Sequence, residues 1–172
     1  MDGRSIVAAV TIRSAKPVDA PTLHELHTAS VRTLCAPHYD PHVIDGWLSN
    51  RTPAGYLPVI DAGRVIVAIV EDEIAGFGEA IPGEIRAIYV RPAYARRGVG
   101  SALLRRCLDM ARPDQPGSIR LEATLNAVSF YERHGFSQIE RITLPRNAVE
   151  IPVVVMEWSG GGPTNRNETS IQ

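Results

Sequence analysis

The chain has 172 residues, 44% of them hydrophobic, with 18 basic and 19 acidic side chains that leave a net charge of −1. That length suits one domain around one substantial core and is short for two. A near-neutral chain has no global field with which to gather nucleic acid or an anionic membrane, so a small-molecule partner is expected in preference to either.

In chain order, the first apolar run, Ile6 to Val10, is shorter than an export signal and far shorter than a membrane span, which predicts a cytoplasmic protein. Val7 to Arg13 reads as a first strand. Leu23, Leu26, Val31 and Leu34 then fall near helical spacing behind Asp19 or Thr22 as a cap. Pro37 to Pro41 breaks this pattern, a short helix through Val43, Ile44, Trp47 and Leu48 follows, and Pro53, Gly55 and Pro58 mark a loop. Within the first helix, His24-Glu25-Leu26-His27 is one residue too short for the HExxH of zinc proteases, and no metal site is expected; both histidines read as surface or partly buried.

The β-branched run Val65 to Val70, the turn at Asp72-Glu73 and the run Ile74 to Ile81 predict a hairpin. Pro82-Gly83 turns the chain into a third strand, Glu84 to Val90, whose alternation puts Ile85, Ala87 and Tyr89 on one face and Glu84, Arg86, Ile88 and Val90 on the other. Val99, Leu103, Cys107 and Met110 form the stripe of a helix that stops before Pro113. Ile119 to Ala123 reads as a strand, Ala127 to Arg133 as a short helix closed by Gly135, and Phe136 to Thr143 and Ile151 to Glu157 as the last strands. Residues 1–159 make one domain, and the polar stretch 160–172 reads as disordered. Cys35 and Cys107 belong to no CxxC pair and read as reduced core thiols.

The stretch that carries chemistry runs from Tyr89 through Gly98-Val99-Gly100 to Leu104, from a strand through a glycine turn into a helix. Glycines let the backbone approach an anion, and the unpaired N–H groups and dipole of the first helical turn favour negative charge, with Arg96 and Arg97 adding to it. No Gly-Lys-Ser/Thr is present and no third glycine follows at dinucleotide spacing, so neither familiar nucleotide loop fits. What remains, Ala95-Arg96-Arg97-Gly98-Val99-Gly100 after Val90-Arg91-Pro92, resembles the pyrophosphate loop of the GNAT superfamily of N-acetyltransferases, with Ala95 departing from the usual Gln or Arg. A second block, Asn126 to Phe136 with Ser129-Phe130-Tyr131 and Gly135-Phe136, resembles the other hallmark of that superfamily. The likeness covers Val65 to Trp158 well and the first sixty residues by layout alone.

The resemblance implies an α/β (α+β) GNAT fold: a central mixed, mostly antiparallel twisted sheet of about six to seven strands flanked by about four helices. It implies acetyl-CoA as cosubstrate, its arm held along Ile88, Tyr89 and Val90, its pyrophosphate on Arg96, Arg97, Gly98, Val99, Gly100 and Ser101, and a contact from Asn126. Tyr131 stands where members place a hydroxyl near the thioester sulfur, as a candidate general acid; Glu84, ahead of Glu79, is the candidate base for the incoming ammonium. The acceptor is expected to be a small-molecule amine, with His38, Tyr39 and Trp47 shaping its pocket, and a homodimer is compatible with such a domain. A protein or peptide acceptor, an aminoacyl-tRNA acceptor and a coenzyme A-binding module without turnover remain as alternatives. Each residue also has a plainer reading: solvated charges for the arginines and glutamates, a helix cap for Asn126, a core ring for Tyr131.

Overall fold

A computed structural model of the protein describes residues 8–112 and 117–160. The tail 161–172 and the start of the expected first strand at Val7 lie outside the described residues. Seven strands, β1 (Thr11–Ser14), β2 (Val65–Val70), β3 (Glu73–Ile81), β4 (Glu84–Val90), β5 (Ile119–Thr124), β6 (Ser137–Arg146) and β7 (Val149–Trp158), form one sheet in the order β1-β2-β3-β4-β5-β7-β6. The helices are α1 (Ala20–Ser30), α2 (Pro41–Leu48), α3 (Leu57–Asp61), α4 (Val99–Ala111) and α5 (Val128–Arg133). All strand pairs are antiparallel except β4 with β5.

Strand β2 shows why the sheet is double-sided. Ile66, Ala68 and Val70 pack into one core with α4, while Val65 and Val67 pack on the opposite face with Leu23 and Leu26 of α1. A strand covered on both faces is apolar throughout instead of alternating, as this one is. Glu71 and Asp72, both at positive φ (51° and 64°), make the two-residue turn into β3, a geometry whose twist matches that of the strands. Helix α4 lies close to β3: a Cβ on Gly78 would stand 2.6 Å from the Cys107 sulfur. A third cluster joins Ile44 and Trp47 of α2 to Val149, Ile151 and Val153 of β7.

The structure corrects four local expectations. The face assignment of β4 fails at Ile85, which packs into the α4 core with Ile88 and Val90, while Ala87 and Tyr89 face the α1 side. The reason is a bulge: Glu79 pairs with Ala87 and Ala80 with Ile85, so Arg86 is an extra residue and the side-chain parity reverses across it. Helix α1 ends at Ser30 and widens into a π-helical turn, Val31–Cys35, instead of running on regularly to Leu34. The segment read as a loop is a 3₁₀ turn, Pro53–Tyr56, leading into α3, where Pro58 sits in the first turn and lacks only an N–H that would have no helical partner. His27 is 4% exposed, deeper than the surface or partial burial expected of it.

Candidate active site

Strands β4 and β5 pair only at Glu84↔Arg120 and Ile85↔Leu121. Beyond those pairs a cleft of about 930 Å³ opens, lined by Ile88, Tyr89 and Val90 on one side and Thr124 and Asn126 on the other. The π-helical turn brings Thr33, Leu34 and Cys35 to its wall, and α5 brings Phe130 and Tyr131.

At one end of the cleft the chain leaves β4 through a 3₁₀ turn, Pro92–Tyr94, adopts positive φ at Arg96 (59°) and Gly98 (81°), and enters α4. The first helical bond is from Ala102 N–H to the Gly98 carbonyl, at 3.1 Å. The N–H groups of Val99, Gly100 and Ser101 therefore precede any intrahelical acceptor. A Cβ on Gly100 would lie 3.4 Å from the Phe130 ring, so glycine keeps this edge of the cleft open. Arg96, Gly98, Gly100 and Ser101 line the cleft; Val99 is buried beneath it. Arg97 turns the other way, over the Tyr94 ring at 5.0 Å and toward Glu71 at 4.0 Å.

Several side chains here are held by partners that the sequence does not signal. His134 Nδ1 lies 2.8 Å from the Phe130 carbonyl, which only accepts, so Nδ1 carries the proton and Nε2 accepts from the Ser101 hydroxyl at 3.1 Å. Asn126 Oδ1 accepts from the Cys35 thiol at 3.3 Å. The cap position of α5 falls to Ala127, so Asn126 is not the helix cap. Burial pushes the Cys35 thiol up to about 12, which keeps it protonated and unreactive. Both cysteines are free and buried, as expected. Tyr131 is packed edge-on between Phe130 and Phe136, and burial, reinforced by Tyr89 and Cys107, raises its phenol well above the ordinary value.

A second cleft of about 490 Å³ lies on the α1 side of the sheet, and Tyr89 and Thr124 line both. Its floor is an aromatic stack: the His27 ring lies 3.9 Å from the Tyr89 ring, with Phe77 and Tyr56 against His27. Arg51 Nη1 stands 3.4 Å from His27 Nδ1 and can only donate, and the Tyr56 hydroxyl is 2.9 Å from the same nitrogen. Nδ1 is thus the acceptor and the ring proton sits on Nε2, which is buried without a partner. Burial first, and then the charges of Arg51 and Arg146, hold the His27 imidazolium well below its usual pKa, so the ring is neutral.

Of the two candidate carboxylates, Glu79 lines this second cleft with a side chain 17% exposed, and burial raises its pKa against the opposing pull of Arg86 and Arg64. Glu84 is 41% exposed and lies outside the lining; Arg86 on the bulge is 3.6 Å from both. Trp47 lines the second cleft and His38 the first. Tyr39 lines neither: its hydroxyl donates to the Pro152 carbonyl at 2.7 Å and accepts from Leu125 N–H at 2.9 Å, tying β7 to the segment after β5. Sequence reasoning weighs His27 only against a zinc motif and passes over Arg51, Tyr56 and Arg146, which come from the segment after α2, a 3₁₀ turn and β6.

Residues 35–159 match the family model described as an acetyltransferase (GNAT) domain. Over 132 residues the chain is 28% identical to the uncharacterized N-acetyltransferase YafP of Escherichia coli K12, covering 77% of this chain and 84% of that protein. In fold it is similar to a GCN5-related N-acetyltransferase from Rhodopseudomonas palustris, at a TM-score of 0.84 and 23% identity over 91% of this chain and 99% of that one. It is likewise similar to PaiA N-acetyltransferase from Thermoplasma acidophilum, solved in complex with coenzyme A, at a TM-score of 0.70 and 21% identity over 88% and 99% of the two chains. The chain belongs to the GNAT acetyltransferase family and is an acyltransferase, with the mixed seven-stranded sheet of that fold. No helix among the described residues is long and apolar enough to cross a membrane.

Proposed function

We propose that this enzyme transfers the acetyl group of acetyl-CoA to the primary amine of a small molecule, by direct attack within a ternary complex. The observation that carries the reading is the meeting of two clefts at Tyr89 and Thr124, one in the gap between β4 and β5 and the other on the α1 side of the sheet. A donor in the first and an acceptor in the second come together there without a covalent enzyme intermediate, and the buried, protonated Cys35 offers no nucleophile for one.

The first cleft suits coenzyme A. The backbone of Ile88, Tyr89 and Val90 has no strand partner on the β5 side and is free to pair with the amides of the cofactor arm. The N–H groups of Val99, Gly100 and Ser101, with Arg96 nearby, suit its pyrophosphate, and Arg97 serves the loop from its outer face. The Asn126 amide nitrogen, its oxygen already taken by Cys35, is left to donate. The bound thioester supplies an electrophilic carbonyl and a thiolate leaving group.

Within this reading Glu79, half-buried on the acceptor side, takes the ammonium proton, directly or through one water, and now stands ahead of Glu84. The neutral amine forms the new N–C bond, backbone N–H groups of the splayed strand stabilise the oxyanion, the nitrogen gives up its second proton to water, and the C–S bond breaks. A phenol held above its ordinary pKa is a poor proton donor to a thiolate, so Tyr131 acts by hydrogen-bonding the leaving sulfur, which then takes its proton from water. Trp47 shapes the acceptor side, His38 the donor side, and Tyr39 supports both from beneath.

Calorimetry with acetyl-CoA, followed by an amine panel with free-thiol detection, tests the proposal. Saturable binding that is lost in a folded Gly98→Asp, Gly100→Asp variant, with thiol release that depends on an added amine, is expected. Binding without transfer to any amine would leave a coenzyme A-binding module and sink the catalytic reading.

A further inference from the structure

The acceptor cleft carries a charge pattern that narrows its substrate. Three arginines line it, Arg51, Arg86 and Arg146. Arg86 is accounted for by Glu79 and Glu84, each at 3.6 Å. Arg51 and Arg146 are in ion-pair contact with no carboxylate among the described residues.

Their convergence is built into the fold. Asn147, next to Arg146 at the tip of the β6–β7 hairpin, donates to the Gly46 carbonyl at 2.7 Å and the Ser49 carbonyl at 3.1 Å, and its oxygen accepts from Asn50 at 3.3 Å. The hairpin tip is thereby sewn to the end of α2, where Arg51 begins the next segment with its Nε 3.4 Å from the Trp47 carbonyl. Both guanidinium charges bear on His27, whose Nε2–H is a buried donor with no acceptor, on the floor of the same cleft. Two cations without an ion-pair partner, set above a buried neutral imidazole, make an environment that an anion completes. Glu79 and Glu122 line the same cleft and supply its negative pole.

Resting on the acetyltransferase reading above, we propose that the acceptor is an amine that also bears a carboxylate, an amino acid or close analogue, with its carboxylate held by Arg51 and Arg146. Planar guanidinium groups match a carboxylate in geometry as well as charge. The amine is then oriented toward Tyr89 and Thr124, its departing proton passes to Glu79, the N–C bond forms as the C–S bond of the thioester breaks, and the products are the N-acetylated acid and free thiol. The aromatic floor of Tyr56, Phe77 and Tyr89 accommodates an apolar side chain between the poles. A polyamine, cationic throughout, would face Arg51 and Arg146 with like charge.

Matched sets of acceptors test this: free amino acids, their methyl esters and the corresponding decarboxylated amines, assayed with acetyl-CoA by thiol release. The free acid is expected to be preferred by ten- to a hundredfold in kcat/KM over its ester and amine. That preference is expected to fall to within about threefold in Arg51→Gln, Arg146→Gln and the double variant, with acetyl-CoA calorimetry as the check on folding. Equal or better turnover of esters or amines would overturn the proposal and leave the acetyltransferase reading standing. Saturable acetyl-CoA binding with no transfer to any member of any set would overturn both. The wild-type comparison needs no variant, and the exposed position of Arg146 keeps one substitution clear of the core.

Discussion

The imidazole of His27 lies flat on the ring of Tyr89, 3.9 Å between centroids and 28° between planes, so a titratable side chain of α1 stacks on one of the two residues that both clefts share. The folded chain resists protonation of this ring, because burial and two nearby arginines penalise the cation, whereas the unfolded chain takes a proton near pH 6.5. The unfolded state thus binds more protons below that pH, and stability falls as pH drops through about 6.5. Denaturant unfolding between pH 7.5 and 5 is expected to show a loss in the parent that is smaller in His27→Gln. Parallel curves for the two proteins would assign the acid sensitivity elsewhere.

Asp19 adds acid sensitivity of the same sign in a lower pH window, through a charge that the fold stabilises instead of one that it penalises. It is 6% exposed, binds Arg13 through both oxygens at 2.7 and 3.1 Å, and accepts from Lys16 N–H at 2.7 Å, closing the turn between β1 and α1. The Arg13 hydrogen bonds come first in holding its carboxyl below the usual range, against an opposing cost of burial. Its contribution is present above the unfolded carboxylate pKa of about 4 and is lost as pH falls toward the folded value. Asp19→Ala should cost about 1.5–3 kcal/mol in urea unfolding at pH 7, the range for charge-assisted hydrogen bonds, with a smaller difference at pH 3.

For catalysis, Glu79→Gln should lower kcat by about a hundredfold, as removal of a general base does. The base acts ionised, so the parent rate falls as pH drops through the raised Glu79 pKa, and that acid limb should disappear in the variant. Glu84→Gln, more exposed and outside the cleft lining, should stay within about threefold. The reverse ranking would restore Glu84 as the base.

Tyr131→Phe should reduce kcat by about ten- to a hundredfold while changing the acetyl-CoA dissociation constant less than threefold, since the ring keeps its contacts with Phe130 and Phe136. A variant with parent kcat would return Tyr131 to the role of a core ring.

Much of this architecture is legible in the residues, and the parts that are not have identifiable causes. The strands at Val65–Val70 and Glu73–Ile81 announce themselves as apolar, largely β-branched runs around a turn, and α4 by the helical period of its stripe. The lining of the first cleft is readable because Arg96 to Ser101 and Asn126 to Tyr131 are each contiguous. The bulge at Arg86 is invisible in sequence, because register belongs to the pairing with β3 and a single extra residue exchanges the faces. Helix α3 hides behind two prolines that read as breakers until their place in a first turn is seen. The second cleft takes His27 from α1, Arg51 from the segment after α2, Tyr56 from a 3₁₀ turn and Arg146 from β6, and no spacing rule links four such positions.

The two-rung contact between β4 and β5 also has a mechanical meaning. The sheet is an antiparallel ribbon of β1 to β4 and another of β5 to β7, fastened along their shared border at Glu84–Ile85 only, like a zip closed at one end. A ligand whose amides bond to the open edge of β4 extends that fastening, so filling the first cleft stiffens the border between the halves. Amide hydrogen exchange at Ile88, Tyr89 and Val90 should therefore slow on coenzyme A binding by more than contact shielding at Arg96 to Ser101 alone would give, and slowing should extend to Thr124 across the gap.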